Sequence, residues 1–104
     1  MAAGLKLYNL DRVDLISGQA VQIIANSFPS FSIIITAEST NSGNIYIGDS
    51  TVDANKGIPI EPGNTLAIDS PPESRWSELD ISDIYIYTSS SGNKARISCL
   101  RRRN

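Results

Sequence analysis

Residues 44–69, NIYIGDSTVDANKGIPIEPGNTLAID, decide the fold. Ile45 and Ile47 alternate with Asn44, Tyr46 and Gly48, the period of two that a half-buried strand requires. Asp49 to Lys56 is a polar turn, and Gly57-Ile58-Pro59-Ile60 is a brief extended step. Glu61-Pro62-Gly63-Asn64 is a second turn, because proline presets φ and glycine tolerates positive φ. Leu66 and Ile68 then restart the alternation. Strand, turn, short strand, turn, strand is the grammar of an antiparallel β protein.

Upstream of this stretch lies the most apolar strand, Phe31 to Glu38. Phe31, Ile33, Ile35 and Ala37 face one way and Ile34 the other, which suits a central strand. Ser39 to Gly43 reads as a hairpin loop of small polar residues, from which Asn44 to Gly48 returns antiparallel. Nearer the start, Leu5 to Leu10 is a short strand with Leu5 and Leu7 on one face, interrupted at Asp11 to Asp14. Ser17-Gly18 is a turn, and Gln19 to Ala25 a second strand with Val21 and Ile23 on one face. Asn26 to Ser30 is a loop, since Pro29 has no amide to donate to a central ladder.

Downstream, Ser70-Pro71-Pro72-Glu73 is a rigid break, and Arg75 to Asp80 reads as a short turn of helix. Ile84-Tyr85-Ile86-Tyr87 puts isoleucines on one face and tyrosines on the other. Thr88 to Asn93 reads as a flexible hairpin loop. Lys94 to Leu100 is the last strand, with Ala95, Ile97 and Cys99 sharing a face. No stretch sustains the helical period. The fold expected is all-β: an antiparallel, jelly-roll-like β-sandwich or a small barrel of seven to eight short strands. It is a single domain, divided into an N-terminal arm with the first strand (1–16), the sandwich (17–101) and a basic tail (102–104).

Composition narrows the chemistry. The chain has 104 residues, 40% of them hydrophobic and 19% charged, a balance that supports one folded core. A net charge of −2 supplies no bulk attraction to nucleic acid or to an anionic membrane, and neither is expected as a partner. There is no histidine, which removes the commonest general base and transition-metal ligand. The one cysteine, Cys99, reads as a small buried apolar residue, in keeping with a reducing cytoplasm. No signal peptide and no membrane-length apolar run is read. No enzyme activity and no cofactor is expected. The carboxylates Asp49, Asp53, Glu61, Asp69, Glu73, Glu78, Asp80 and Asp83 each sit in or beside a turn, where local backbone bonds and solvation explain them.

Three groups of residues stand out as candidates. Asp49-x-Thr51-x-Asp53-x-Asn55 alternates oxygen ligands as a Ca²⁺ loop does, yet lacks the central glycine and the closing glutamate; it is a weak cation candidate beside the plainer reading of a solvated turn. Trp76, Tyr46, Tyr85 and Tyr87 can form an aromatic surface, either a protein interface or a sugar-stacking platform. Arg101, Arg102 and Arg103 are the one basic cluster, suited to an acidic partner surface or simply a solvated end.

Several segments taken in order carry a resemblance: QAVQII (19–24), the apolar strand at 32–36, NIYIGDSTV (44–52), GIPIEPGNTLAI (57–68), DIYI (83–86) and the closing strand 94–101 that ends in arginine. Together they resemble short proteins encoded among the structural genes of tailed bacteriophages, over roughly residues 17–101. The chain departs from that pattern at the 70–78 insert with its Pro-Pro and Trp76, and in the terminal arginine triplet. The resemblance implies a virion structural protein made in the host cytoplasm. Foremost is a capsid decoration (cement) protein, trimeric, bound to the major capsid protein or other virion proteins; it transfers no catalytic residue. The rival readings are a neck, tail, baseplate or head-fibre component and, in another class, a carbohydrate-binding module. The 5–14 arm and the 101–104 tail are expected to reach the capsid or a sister subunit.

Overall fold

The chain folds as one long hairpin bent over on itself. The computed structural model describes residues 4–69 and 79–102. Its strands are β1 (Leu5–Asn9), β2 (Val13–Asp14), β3 (Val21–Gln22), β4 (Pro29–Ser30), β5 (Ser32–Ala37), β6 (Ile45–Gly48), β7 (Ile58–Ile60), β8 (Thr65–Asp69), β9 (Leu79–Asp80), β10 (Tyr85–Tyr87) and β11 (Lys94–Arg102). A 3₁₀ turn, Ile81–Asp83, joins β9 to β10. Every ladder among the described residues is antiparallel.

The register reveals the hairpin. Partner numbers add to 107 for Leu5 and Arg102, 107 for Val21 and Ile86, 109 for Pro29 and Asp80, 101 for Ile33 and Ile68, and 105 for Ile45 and Ile60. A nearly constant sum means that the first half of the chain runs back along the second. The apex is the polar turn between β6 and β7, where the Asp53 and Lys56 amides each donate to the other's carbonyl at 3.1 and 3.2 Å. Two further ladders fold this ribbon over: β11 on β5 (Ala95 with Ala37) and β10 on β6 (Ile86 with Ile47).

The result is two sheets, ordered β1/β2–β11–β5–β8 and β3–β10–β6–β7. With β1 and β2 counted as one interrupted strand, and the short β4–β9 ladder set aside as the point where the ribbon passes between sheets, the described residues form eight strands. Their orders are 1-8-3-6 and 2-7-4-5, a jelly-roll sandwich. The expected fold class is therefore borne out.

Several local expectations are corrected. The 39–43 and 88–93 loops are not hairpin loops: β5 and β11 lie in the first sheet, β6 and β10 in the second, so each loop crosses between sheets. The Glu61–Asn64 turn forms, with Asn64 N–H donating to the Glu61 carbonyl at 3.0 Å and Gly63 at φ 85°, but it too crosses between sheets. The 5–14 stretch, expected as the first strand and part of an arm, lies in the first sheet. Its β1 and β2 both pair with β11, and the break between them is a bulge: Asn9 to Val13 is four steps where the facing Ser98 to Ala95 is three. Arg102, placed in the tail, is the last residue of β11. At the expected helical turn, Leu79 and Asp80 are strand; the rest of that expectation lies outside the described residues.

The core lies between the sheets. Ile33, Ile35, Ala37, Ala95, Ile97 and Cys99 of the first sheet meet Ile45, Ile47, Ile60 and Ile86 of the second, all at most 4% exposed. β-branched isoleucine suits this pleated interior, and each such side chain contributes about 1.5–3 kcal/mol on burial. β5, with 3 of its 4 neighbouring apolar positions inward as Ile33, Ile35 and Ala37, is the central strand that its sequence indicated.

Candidate interaction surfaces

The outer face of the second sheet is aromatic. Tyr85 and Tyr87 alternate with buried Ile86 on β10, so both point outward. Tyr87 lies directly opposite Tyr46 of β6, ring centroids 6.3 Å apart at 54°, a favourable tilted pair. Tyr85 lies opposite Gly48, which places no side chain over its ring, and Gln22, whose Nε2 donates to the Ser82 carbonyl at 2.8 Å. Exposed Pro59 flanks Tyr46 on β7. The structure thus brings together three of the four aromatic residues singled out from sequence. The fourth, Trp76, lies outside the described residues.

The outer face of the first sheet carries a second patch, which sequence reasoning met only as two leucines on a strand face. Leu5 is 47% exposed and Leu7 56%. Leu7 pairs with half-buried Leu100, and half-buried Ile34 with exposed Ala67 lies in the next row on the same side. Leu5 and Leu7 are the most open of the patch.

Of the basic cluster, Arg101 is structural rather than free. Its guanidinium sits 4.0 Å from the Phe28 ring centroid and 5.5 Å from that of Tyr8, and its Nε donates to the Pro29 carbonyl at 3.0 Å. Tyr8 and Phe28 meet edge to face at 6.5 Å. A cation stacked on two rings closes this end of the sandwich. Arg102 stands opposite Leu5 in the ladder, and Arg103 lies outside the described residues.

The alternating oxygens of 49–55 serve the backbone. Asp49 Oδ1 accepts from the Thr51 hydroxyl at 2.6 Å and its amide at 2.9 Å, and Asp53 Oδ1 accepts from the Asn55 amide at 2.8 Å. The Thr51 hydroxyl, then its amide, hold the Asp49 carboxyl below its ordinary range. These are turn-stabilising Asx bonds. No three His, Cys, Asp or Glu side chains converge as a metal site among the described residues.

Two further carboxylates are fixed by geometry. Asp80 accepts from the Phe28 amide (2.9 Å), the Ser27 hydroxyl (2.6 Å), and the amide and hydroxyl of Ser82 (3.0 and 2.7 Å). These bonds, the Phe28 amide foremost, push its carboxyl far below the usual range. It ties the 26–28 loop to the start of the 3₁₀ turn. Glu38 accepts from Arg96 Nε at 3.1 Å with Arg12 at 3.6 Å, and the Arg96 bond lowers its pKa. At the other end of β11, Asn93 is 1% exposed; its Oδ1 accepts from the Ser42 amide at 2.8 Å and its Nδ2 donates to buried Thr88 at 2.7 Å. Asn41 bonds both backbone groups of Lys94, at 2.8 and 2.9 Å.

An open groove runs along Asn9, Arg12, Arg96 and Ser98 beside the bulge. No helix among the described residues is long and apolar enough to cross a membrane. Fold and surfaces together define a jelly-roll sandwich with one aromatic and one aliphatic outer face. Comparison with family models, with curated proteins and with solved structures finds no match.

Proposed function

We propose that this chain is a structural protein of a tailed-phage virion, foremost a decoration protein that binds the assembled head. The observation that carries the reading is the pair of outer faces. Tyr46, Tyr85 and Tyr87 on one sheet, and Leu5, Leu7 and Leu100 on the other, hold apolar surface on opposite sides of a rigid sandwich. A subunit that sits in a shell needs two such sides, one toward the lattice and one toward its neighbours. Weak contacts repeated by symmetry sum to firm attachment without a deep pocket. The resemblance of 17–101 to phage structural proteins supports the same reading, and the chain would then act by adhesion rather than catalysis, in the virion, with coat protein as partner.

Co-sedimentation tests it. The protein is expected to pellet with assembled heads and not to bind unassembled coat protein, and the double variant Tyr46→Ala/Tyr87→Ala is expected to lose binding while keeping its melting temperature within a few degrees. Equal binding to free coat protein, or none to heads, would count against it. A neck, tail, baseplate or head-fibre role differs in copy number per particle. Carbohydrate binding is the reading from another class that the half-buried, outward-facing tyrosines also favour, since aromatic faces suit sugar rings; glycan-array signal lost in Tyr87→Ala would move the assignment there.

A further inference from the structure

A jelly roll has four sheet edges, and an edge presents unpaired backbone groups that proteins normally blunt. Here three are blunted. β3 is two residues long. β7 is three residues long and contains Pro59. β8 carries Thr65, Ala67 and Asp69 outward, with no large apolar side chain and a charge at its end. β1 is different: five residues, two of them leucines about half exposed, with Lys6 as its one charge.

The ladder fixes which backbone groups of β1 are free. Leu10 N–H donates to the Ile97 carbonyl at 3.0 Å, and hydrogen-bonded pairs alternate along an antiparallel ladder. Tyr8 and Lys6 are therefore bonded to β11, while the N–H and C=O groups of Leu5, Leu7 and Asn9 point away from the sheet. An added strand must bond to those three residues.

We infer that β1 pairs antiparallel with β1 of a second copy, about a two-fold axis at Leu7. Three registers engage two or more of these residues in each copy. Centring on Leu7 engages all three free residues of each strand (Leu5 with Asn9, Leu7 with Leu7, Asn9 with Leu5); centring on residue 6 or 8 engages two. Charge also disfavours one of the two alternatives. An axis at residue 6 sets Lys6 against Lys6 of the second copy, whereas the axis at Leu7 sets each Lys6 against Tyr8 of the other. Within one chain Lys6 already stands 5.2 Å from the Tyr8 ring centroid, so the paired rings receive a cation from either side. On the outer face, Leu5, Leu7 and Leu100 of both copies then form one continuous apolar stripe across an eight-stranded sheet. The two-fold pair takes the place of the trimer that the resemblance implies, and it stands whether or not the protein belongs to a virion.

Cysteine crosslinking reads the register directly. Residues facing each other in a hydrogen-bonded antiparallel pair have Cα atoms about 5.5 Å apart, within disulfide reach, and native Cys99 is buried. Under mild oxidation Leu7→Cys is expected to form a covalent dimer, Leu5→Cys and Asn9→Cys singly are not, and Leu5→Cys/Asn9→Cys is. Leu7 points outward, so Leu7→Lys leaves the fold intact and puts two like charges at the axis; sedimentation is expected to show wild-type dimer and a roughly tenfold weaker association in this variant. Crosslinking of Leu5→Cys as fast as Leu7→Cys, a monomeric wild type, or an oligomer indifferent to Leu7→Lys would overturn the inference.

Discussion

At the scale of single residues, the turns are where local chemistry and global fold agree, and where the sharpest stability effects lie. Gly57 has φ 120°, and a Cβ there would meet the Ile47 carbonyl oxygen at 2.8 Å and a Val52 methyl at 2.6 Å. Gly57→Ala is expected to cost about 2–3 kcal/mol in urea unfolding, against about 1 kcal/mol for Gly18→Ala, whose positive φ comes with open space around it. Asp80 gives the pH dependence. Its carboxyl titrates lower folded than unfolded, so its stabilisation is full above the ordinary Asp range near pH 3.9 and is lost as pH falls toward the folded value. Asp80→Ala is expected to lose about 1–2 kcal/mol at neutral pH, as for a lost cap, and the gap from wild type is expected to narrow below about pH 4. Sequence placed Asp80 beside a turn, but that its four donors come from both the 27–28 and the 82 positions is a tertiary fact. Likewise Arg101 looks like a tail residue until Phe28 and Tyr8, 73 and 93 positions away, are seen beneath it.

At the scale of elements, strand existence was legible and strand partnership was not. Alternation in Ile45–Ile47, Ile33–Ala37 and Ala95–Cys99 reports which side chains turn inward, because that depends only on the pleat. Whether the chain returns to the same sheet depends on what the loop packs against. The 39–43 and 88–93 loops have the small polar residues of hairpins, yet Asn93 and Asn41 use their side-chain amides to lace the two loops together across the sheets. A Ser/Gly-rich loop that reads as flexible thus holds a buried polar network. Asn93→Ala removes the acceptor of the Ser42 amide and one partner of the Thr88 hydroxyl, which keeps the Asn44 carbonyl at 3.3 Å, and is expected to cost about 1–3 kcal/mol. A loss below 1 kcal/mol, measured by urea unfolding, would show that the loops hold without it. Leu5 and Leu7 were visible as a strand face, but their exposure becomes known only when β1 proves to be a sheet edge.

At the scale of the whole molecule, the nested register explains why one central turn was so informative. The ribbon is symmetric about residues 49–56, so the stretch around it contains both strands of the innermost ladder, β6 with β7. All other ladders join residues tens of positions apart, and no local pattern announces them. The same architecture separates scaffold from surface: isoleucines fill the interior, while Tyr46, Tyr85 and Tyr87 lie on one outer face and Leu5, Leu7 and Leu100 on the other. As proposed above, this sandwich works by repeated adhesion to an assembled shell. The measurement that tests it most directly is quantitative mass spectrometry of purified particles, counting this chain against the coat protein. A fixed ratio of copies spread over the shell, comparable to the number of its symmetry-related sites, is the predicted result. Absence from particles, or the few copies of a single ring, would contradict it.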